Sequence, residues 1–236
     1  MTDIIKEVEG IFLEMIQRTP LVFSFRFRPK GKVEFEPGQF MEVIFDAEDK
    51  DLRHFLSFSS SPSKDYIEFT KRVSESRFSQ RLKRLKAGEE VLFKLPLGNC
   101  VFKEEYKQIG FIIGGIGITP VISMLEYIHE KGLRPEVFLI YSNRNKEEIA
   151  FREKLDTLRR ALPMDVIYLI SSDEPQEQGI RKGFIDLDFL SQYKDRFNEG
   201  MNFVFGPPKM VEAITGLFEE LDTDKNKIKT EKFLGY

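Results

Sequence analysis

The sequence predicts a two-domain fold: an N-terminal antiparallel β-barrel followed by a C-terminal α/β domain with a parallel sheet. Three observations predict it. The chain has 236 residues, more than one hydrophobic core usually organises. Its first part consists of short alternating or apolar runs bounded by Gly and Pro, the pattern of antiparallel strands. From about Lys107 the pattern changes to apolar strands alternating with helices, the pattern of a parallel sheet with helices on both faces.

Residues 1–104 are expected to hold the strands Glu9-Ile16, Val22-Arg28, Gln39-Phe45, Phe55-Ser59, Tyr66-Arg72 and Glu90-Lys94. One helix is expected among them, Arg77-Lys86, because Phe78, Leu82 and Leu85 recur at helical spacing and Gly88 supplies a stop. Residues 105–236 are expected to alternate through Ile109-Ile113, Val121-Glu130, Val137-Tyr141, Glu147-Ala161, Val166-Ile170, Phe189-Tyr193, Phe203-Phe205 and Pro208-Leu221. With 23 Phe and no Trp, phenyl rings should dominate the packing.

A net charge of -3 gives no global basic field for nucleic acid or an anionic membrane. A single cysteine, Cys100, excludes an internal disulfide and any cluster or zinc site built from several thiolates of this chain. The N-terminus lacks the basic start and apolar run of a secretion signal, so a cytoplasmic location is expected. Ile109 to Ile128 has nearly the length and apolarity of a membrane span, but Gly114, Gly115, Gly117 and Pro120 interrupt it, so it reads as strand, turn and helix. The two histidines, His54 and His129, lie far apart with no second ligand at metal spacing, and no metal site is expected. Asp222 begins like a calcium loop, but Lys227 stands where the glycine belongs and Phe233 where the glutamate belongs. Nor is there a G-x-S-x-G elbow, or a base close to Ser57-Ser63, for hydrolase chemistry.

The segment Ile113 to Pro120 runs from a strand through Gly114, Gly115 and Gly117 into a helix. Glycines let a backbone approach a pyrophosphate, and the helix start offers free N–H groups; Thr119 is placed to cap it and Pro120 to occupy its first position. The alternative is a packing turn. The acidic residue expected about 20 positions later for an NAD ribose is missing, and the strand end reads Tyr141-Ser142-Asn143-Arg144. Ser142 and Arg144 suit a 2'-phosphate, a lean toward NADPH, though Arg144 also reads as a solvated charge.

Taken together, several separated segments resemble the ferredoxin-NADP reductase family of flavoproteins. They are Pro37-Gly38-Gln39-Phe40, the stretch Arg53 to Pro62 matching an Arg-x-Tyr-Ser flavin motif, the glycine turn, Tyr141 to Phe151, Phe205-Gly206-Pro207-Pro208 matching a Cys-Gly-Pro-Pro turn, and the tail Lys229 to Tyr236. The resemblance implies a flavin-binding barrel and a Rossmann-like nucleotide domain, with FAD as cofactor and NAD(P)H as substrate. It places Arg53 or His54 at the flavin phosphate, Phe55 or Leu56 against the ring and Ser57 near N5. Arg72, Ser74 and Ser76 would add phosphate donors. Gly115, Gly117, Thr119, Ser142, Arg144, Phe205, Gly206 and Pro207 would serve the nicotinamide nucleotide, with Glu231, Phe233 and Tyr236 at the reacting centre.

Two departures bear on that reading. Counting back from Pro62, the family arginine aligns with His54 and its aromatic with Leu56; counting forward from Arg53 gives Arg53 and Phe55, with one residue for a β-bulge to absorb. Arg53 is favoured for its permanent charge. Phe205 stands where the family often has a cysteine and neither donates nor accepts a proton. The implied activity is hydride transfer between NAD(P)H and FAD with electrons passed to a redox partner: ferredoxin, flavodoxin, an oxygenase component or a small molecule. The alternatives are a non-catalytic flavin or nucleotide subunit of a larger complex and a reductase that releases free reduced flavin.

Overall fold

Six antiparallel strands build the first sheet: β1 (Lys6–Gln17), β2 (Val22–Pro29), β3 (Phe40–Ile44), β4 (Arg53–Ser57), β5 (Ile67–Arg72) and β6 (Glu90–Leu97), in the order β4-β3-β6-β1-β2-β5. A bridge between Phe58 and Phe69 brings the two edges together and nearly closes a barrel. The computed structural model describes residues 5–172 and 178–233. Alternation along the strands sends Phe25, Phe27, Phe69 and Phe93 inward, where all four are fully buried. Phe27 meets Phe93 edge-on at 5.0 Å and stacks on Phe69 at 5.6 Å, so the phenyl core expected from composition is present.

Helix α1 (Arg77–Lys83) sets Phe78 and Leu82 into this core. It is shorter than the expected Arg77-Lys86. Arg84 and Leu85 turn back to the carbonyls of Arg81 and Leu82, and Gly88 donates to Phe12 of β1, which draws the chain off the helix axis. Gln39 of the Pro37 turn holds two loops at once, accepting from the Glu36 amide at 2.7 Å and donating to the Gly98 carbonyl at 3.1 Å.

The second sheet is parallel. Its elements run β7 (Gln108–Gly114), α2 (Ile118–Glu130), β8 (Glu136–Asn143), α3 (Arg152–Ala161), β9 (Met164–Ile170), β10 (Ile180–Lys182), α4 (Leu187–Ser191), α5 (Lys194–Glu199), β11 (Met201–Gly206), α6 (Pro208–Glu220) and β12 (Ile228–Lys232). The strand order β10-β9-β8-β7-β11-β12 reverses between β7 and β11, and such a reversal is where open parallel sheets take ligands, at the carboxyl ends of the strands. One face is covered by Leu190, Phe197, Val211, Ile214 and Phe218, packed on Ile112, Phe138, Ile140 and Val204.

Several expectations need correction here. The stretch 147–161 is not one helix: a 3-10 turn occupies Lys146–Glu148, and Phe151, with a φ of 61°, breaks the helical path before α3 begins. Phe189-Tyr193 straddles the end of α4 and the turn into α5. β10 and β12 were not expected at all. Ile109 to Ile128 is a strand, a glycine turn and a helix, as expected, and no helix among the described residues is long and apolar enough to cross a membrane.

By its contacts the chain divides into two units, one of residues to Phe102 together with Thr119–Glu130, the other of Lys103–Ile118 and the residues from Lys131 on. α2 therefore groups with the barrel. Its Ser123 hydroxyl donates to the Ser60 carbonyl at 2.7 Å, and its Glu126 carboxylate accepts from the Ser61 amide at 3.0 Å.

Candidate functional site

In the barrel unit β4 pairs with β3 in unbroken register, Ile44 opposite Arg53 through Phe40 opposite Ser57. No bulge lies between Arg53 and Ser57; the irregular register is between β3 and β6, at Phe40/Glu42. Alternation therefore holds, and Arg53, Phe55 and Ser57 share one face while His54 and Leu56 share the other. On the first face Arg53 is held by Glu42, at 2.9 Å from Nε and 2.8 Å from Nη2, and donates to the Ala47 carbonyl at 3.2 Å. Phe55 is 59% exposed and meets the Phe40 ring edge-on at 5.9 Å. Ser57 is buried.

On the second face Leu56 packs against the barrel core, and His54 lies 5.2 Å from the Phe78 ring of α1. Lys71 of β5 also points this way, since alternation puts it with Ile67 and Phe69. Lys71 is 8% exposed and has no anionic partner among the described residues; burial lowers its pKa. Burial, then the charge of Lys71, pushes His54 down to about 4. An unpaired buried cation costs several kcal/mol, which an anionic ligand would offset. Lys71 and His54 thus fit a phosphate-bearing group.

Ser74, Ser76 and Ser79 follow closely and bond one another: Ser76 accepts from the Ser79 amide at 3.3 Å and donates to its hydroxyl at 3.0 Å. Ser76 is committed to capping α1. Arg72 lies opposite Val22, one position past Lys71 and so on the other face of β5.

In the α/β unit the glycine turn packs against the β11–α6 turn. A Cβ on Gly117 would stand 2.5 Å from the Phe205 carbonyl oxygen, and one on Gly206 would stand 3.2 Å from Met210 Sδ. Packing against the β11–α6 turn thus already requires a glycine at 117. Gly115 is different, with φ of 51° and a carbonyl that accepts from the Tyr141 hydroxyl at 3.0 Å. Thr119 does not stand at the N-cap position, because Gly115–Gly117 themselves form a 3-10 turn that leads into α2 at Ile118. Thr119 is instead a buried residue of the first helical turn. Ser142 pairs with Gly114 across the sheet, and the Arg144 carbonyl accepts from the amides of Ser171 and Ser172 at 3.1 and 2.9 Å.

β12 carries the tail. Glu231 pairs with Phe205, and burial raises its carboxyl to about 7 while Oε2 has no partner among the described residues. The Phe233 amide donates to the Gly206 carbonyl at 3.0 Å, and its ring meets Phe205 edge-on at 6.4 Å. Phe205 is fully buried between Phe203 and Phe233, so it packs rather than lines a surface. Pro207 precedes the first residue of α6. Tyr236 lies outside the described residues.

Two residues escaped the sequence reading. Lys71 passes for a surface charge unless the Ile67-Phe69-Lys71 alternation is followed to its end. Asn143, at the end of β8, is 6% exposed and has neither amide atom partnered among the described residues; a buried orphan amide asks for an explanation. No group of three or more His, Cys, Asp or Glu among the described residues is arranged to hold a metal.

Residues 13–102 match the oxidoreductase FAD-binding domain and residues 111–216 the oxidoreductase NAD-binding domain. The chain is 27% identical over 204 residues to the 2-halobenzoate 1,2-dioxygenase electron transfer component of Burkholderia cepacia, covering 82% of this chain and 57% of that protein. It is 24% identical over 240 residues to the propane 2-monooxygenase reductase component of Mycolicibacterium goodii, covering 97% and 68%. The chain thus spans little more than half of the first of these. Its fold is that of the cytochrome P450 reductase GcoB of Amycolatopsis, with a TM-score of 0.86 at 19% identity over 99% of this chain and 71% of that one. The FAD/NAD-binding domain of nitric oxide dioxygenase from Vibrio cholerae gives 0.82 at 18% identity, covering 96% and 98%.

Proposed function

Because it joins an FAD-binding to an NAD-binding oxidoreductase domain, the chain belongs to the ferredoxin-NADP reductase-like oxidoreductases, and we propose that it is an NAD(P)H-dependent flavin reductase that hands electrons to a separate redox partner. The proposed partner is a one-electron protein acceptor such as an oxygenase component, ferredoxin or flavodoxin, in keeping with the names of its relatives. A bound flavin supplies the hydride-accepting N5 and the means to release electrons singly or in pairs.

The observation that carries this reading is that the FAD-binding domain buries Lys71 and the NAD-binding domain buries the Asn143 amide with no partner for either among the described residues. In the barrel Lys71 and His54 are proposed to hold the flavin phosphate, with Leu56 against the ring and Ser57 as a hydrogen-bond donor. The unbroken β4 register supports His54 and Leu56 over Arg53 and Phe55, since Arg53 is already neutralised by Glu42. In the α/β unit Gly115, Ser142, Arg144, Gly206 and Pro207 are proposed to position the nicotinamide nucleotide. Glu231 would hold a proton at its carboxyl near neutrality, beside Phe205 and Phe233, which exclude water.

The test is to identify the flavin released from purified protein and to measure NADH and NADPH oxidation with ferricyanide as acceptor. FAD release and oxidation of one nucleotide are expected; a protein with bound FAD that oxidises neither would overturn the reading.

A further inference from the structure

Resting on the reading that the barrel unit holds FAD, we infer that flavin binding takes up a proton on His54, which with Lys71 forms the site for the cofactor's phosphate. The position that carries a permanent charge in the resembling family carries a titratable ring here.

The charges around that ring are unbalanced. On β4, Arg53 faces away and is paired with Glu42; on β3, the residue opposite His54 is Val43. On β5, Lys71 is buried and unpaired among the described residues. On α1, Phe78 lies against the ring, Arg77 is paired with Asp49 at 2.7 Å and Arg81 with Glu89 at 3.0 Å. Every carboxylate named on these elements is thus engaged with an arginine, and the unpaired charge beside His54 is a cation. Burial and that cation keep the imidazole neutral at physiological pH.

A phosphate reverses this. It gives Lys71 a counterion and the imidazolium an acceptor, so the protonated ring becomes the favoured form in the complex. A group neutral in the free protein and protonated in the complex binds one proton with the ligand, and linkage then makes FAD affinity rise as pH falls, by up to about tenfold per pH unit. An arginine would show no such dependence.

The experiment is calorimetric titration of FAD into flavin-free protein, in two buffers of different ionisation enthalpy and across roughly pH 5.5 to 8.5. Net proton uptake is expected for the wild type, its loss in His54→Asn with weaker binding, and its loss in His54→Arg with binding retained. As a readout that needs no variant, the His54 ring is followed by NMR with inorganic pyrophosphate as probe, and its titration midpoint is expected to move up. FAD binding without proton uptake, or equal uptake by wild type and His54→Asn, would overturn the inference and leave the flavin reading intact. Failure of the wild type to bind FAD at any pH would overturn both.

Discussion

As proposed, the barrel unit and the α/β unit would receive their anionic ligands by opposite means. The barrel buries a lysine, Lys71, with no anionic partner among the described residues, beside a neutral imidazole, His54, so the phosphate site proposed there is electrostatically costly and pH-sensitive. The α/β unit offers backbone at a glycine turn, and its buried carboxyl, Glu231, is driven toward the neutral form. Side-chain charge gives strength at the expense of stability and pH dependence; backbone donors cost little and do not titrate.

The difference breaks most sharply at Lys71. Replacing it by Met should weaken FAD binding by about 10- to 100-fold, the worth of a charge-assisted hydrogen bond, while raising the stability of the flavin-free protein; a fluorescence titration and a urea melt report the two. An unchanged FAD affinity would move the phosphate site elsewhere. For the α/β unit the counterpart is Gly117→Ala, whose methyl meets the Phe205 carbonyl 2.5 Å away. Roughly 1–3 kcal/mol of stability should be lost, read as a drop of several degrees in Tm, with nicotinamide binding impaired and FAD binding spared.

Glu231→Gln sharpens the contrast through pH. The folded carboxyl is raised from 4.5 to about 7, so the native state keeps its proton where the unfolded state has lost it. Wild-type stability should therefore fall as pH rises from about 4.5 to 7, by up to ~3 kcal/mol. The variant should lack that slope, and urea midpoints across the window decide it. Asn143→Leu is expected to be smaller, a gain of about 1 kcal/mol in stability from removing an orphan amide. A loss instead would mean that Asn143 has partners in the free protein. Smallest of all is Arg53→Met, expected to change FAD affinity less than about threefold because its Glu42 pair is partly exposed.

Much of the architecture was legible because long apolar runs such as Ile109-Ile113 and Val137-Tyr141 have no other stable place than a buried sheet. β10 and β12 were not, because Ile180–Lys182 and Ile228–Lys232 are short and polar and are strands only by pairing with β9 and β11. Thr119 looked like a cap because a lone sequence does not reveal that the glycines before it already coil. The proposal of His54 over Arg53 rests on Glu42, a neighbour on the adjacent strand and eleven positions away in sequence. Lys71 was readable by alternation alone, and Asn143 only by what surrounds it.

The most direct test of the central claim is anaerobic rapid mixing of the FAD-loaded protein with NADH and, separately, NADPH, following the visible flavin band. The account predicts first-order bleaching that saturates with one of the two nucleotides, followed by recovery of the band when a one-electron acceptor is added. A yellow protein that binds nicotinamide nucleotide yet stays oxidised with both would contradict it.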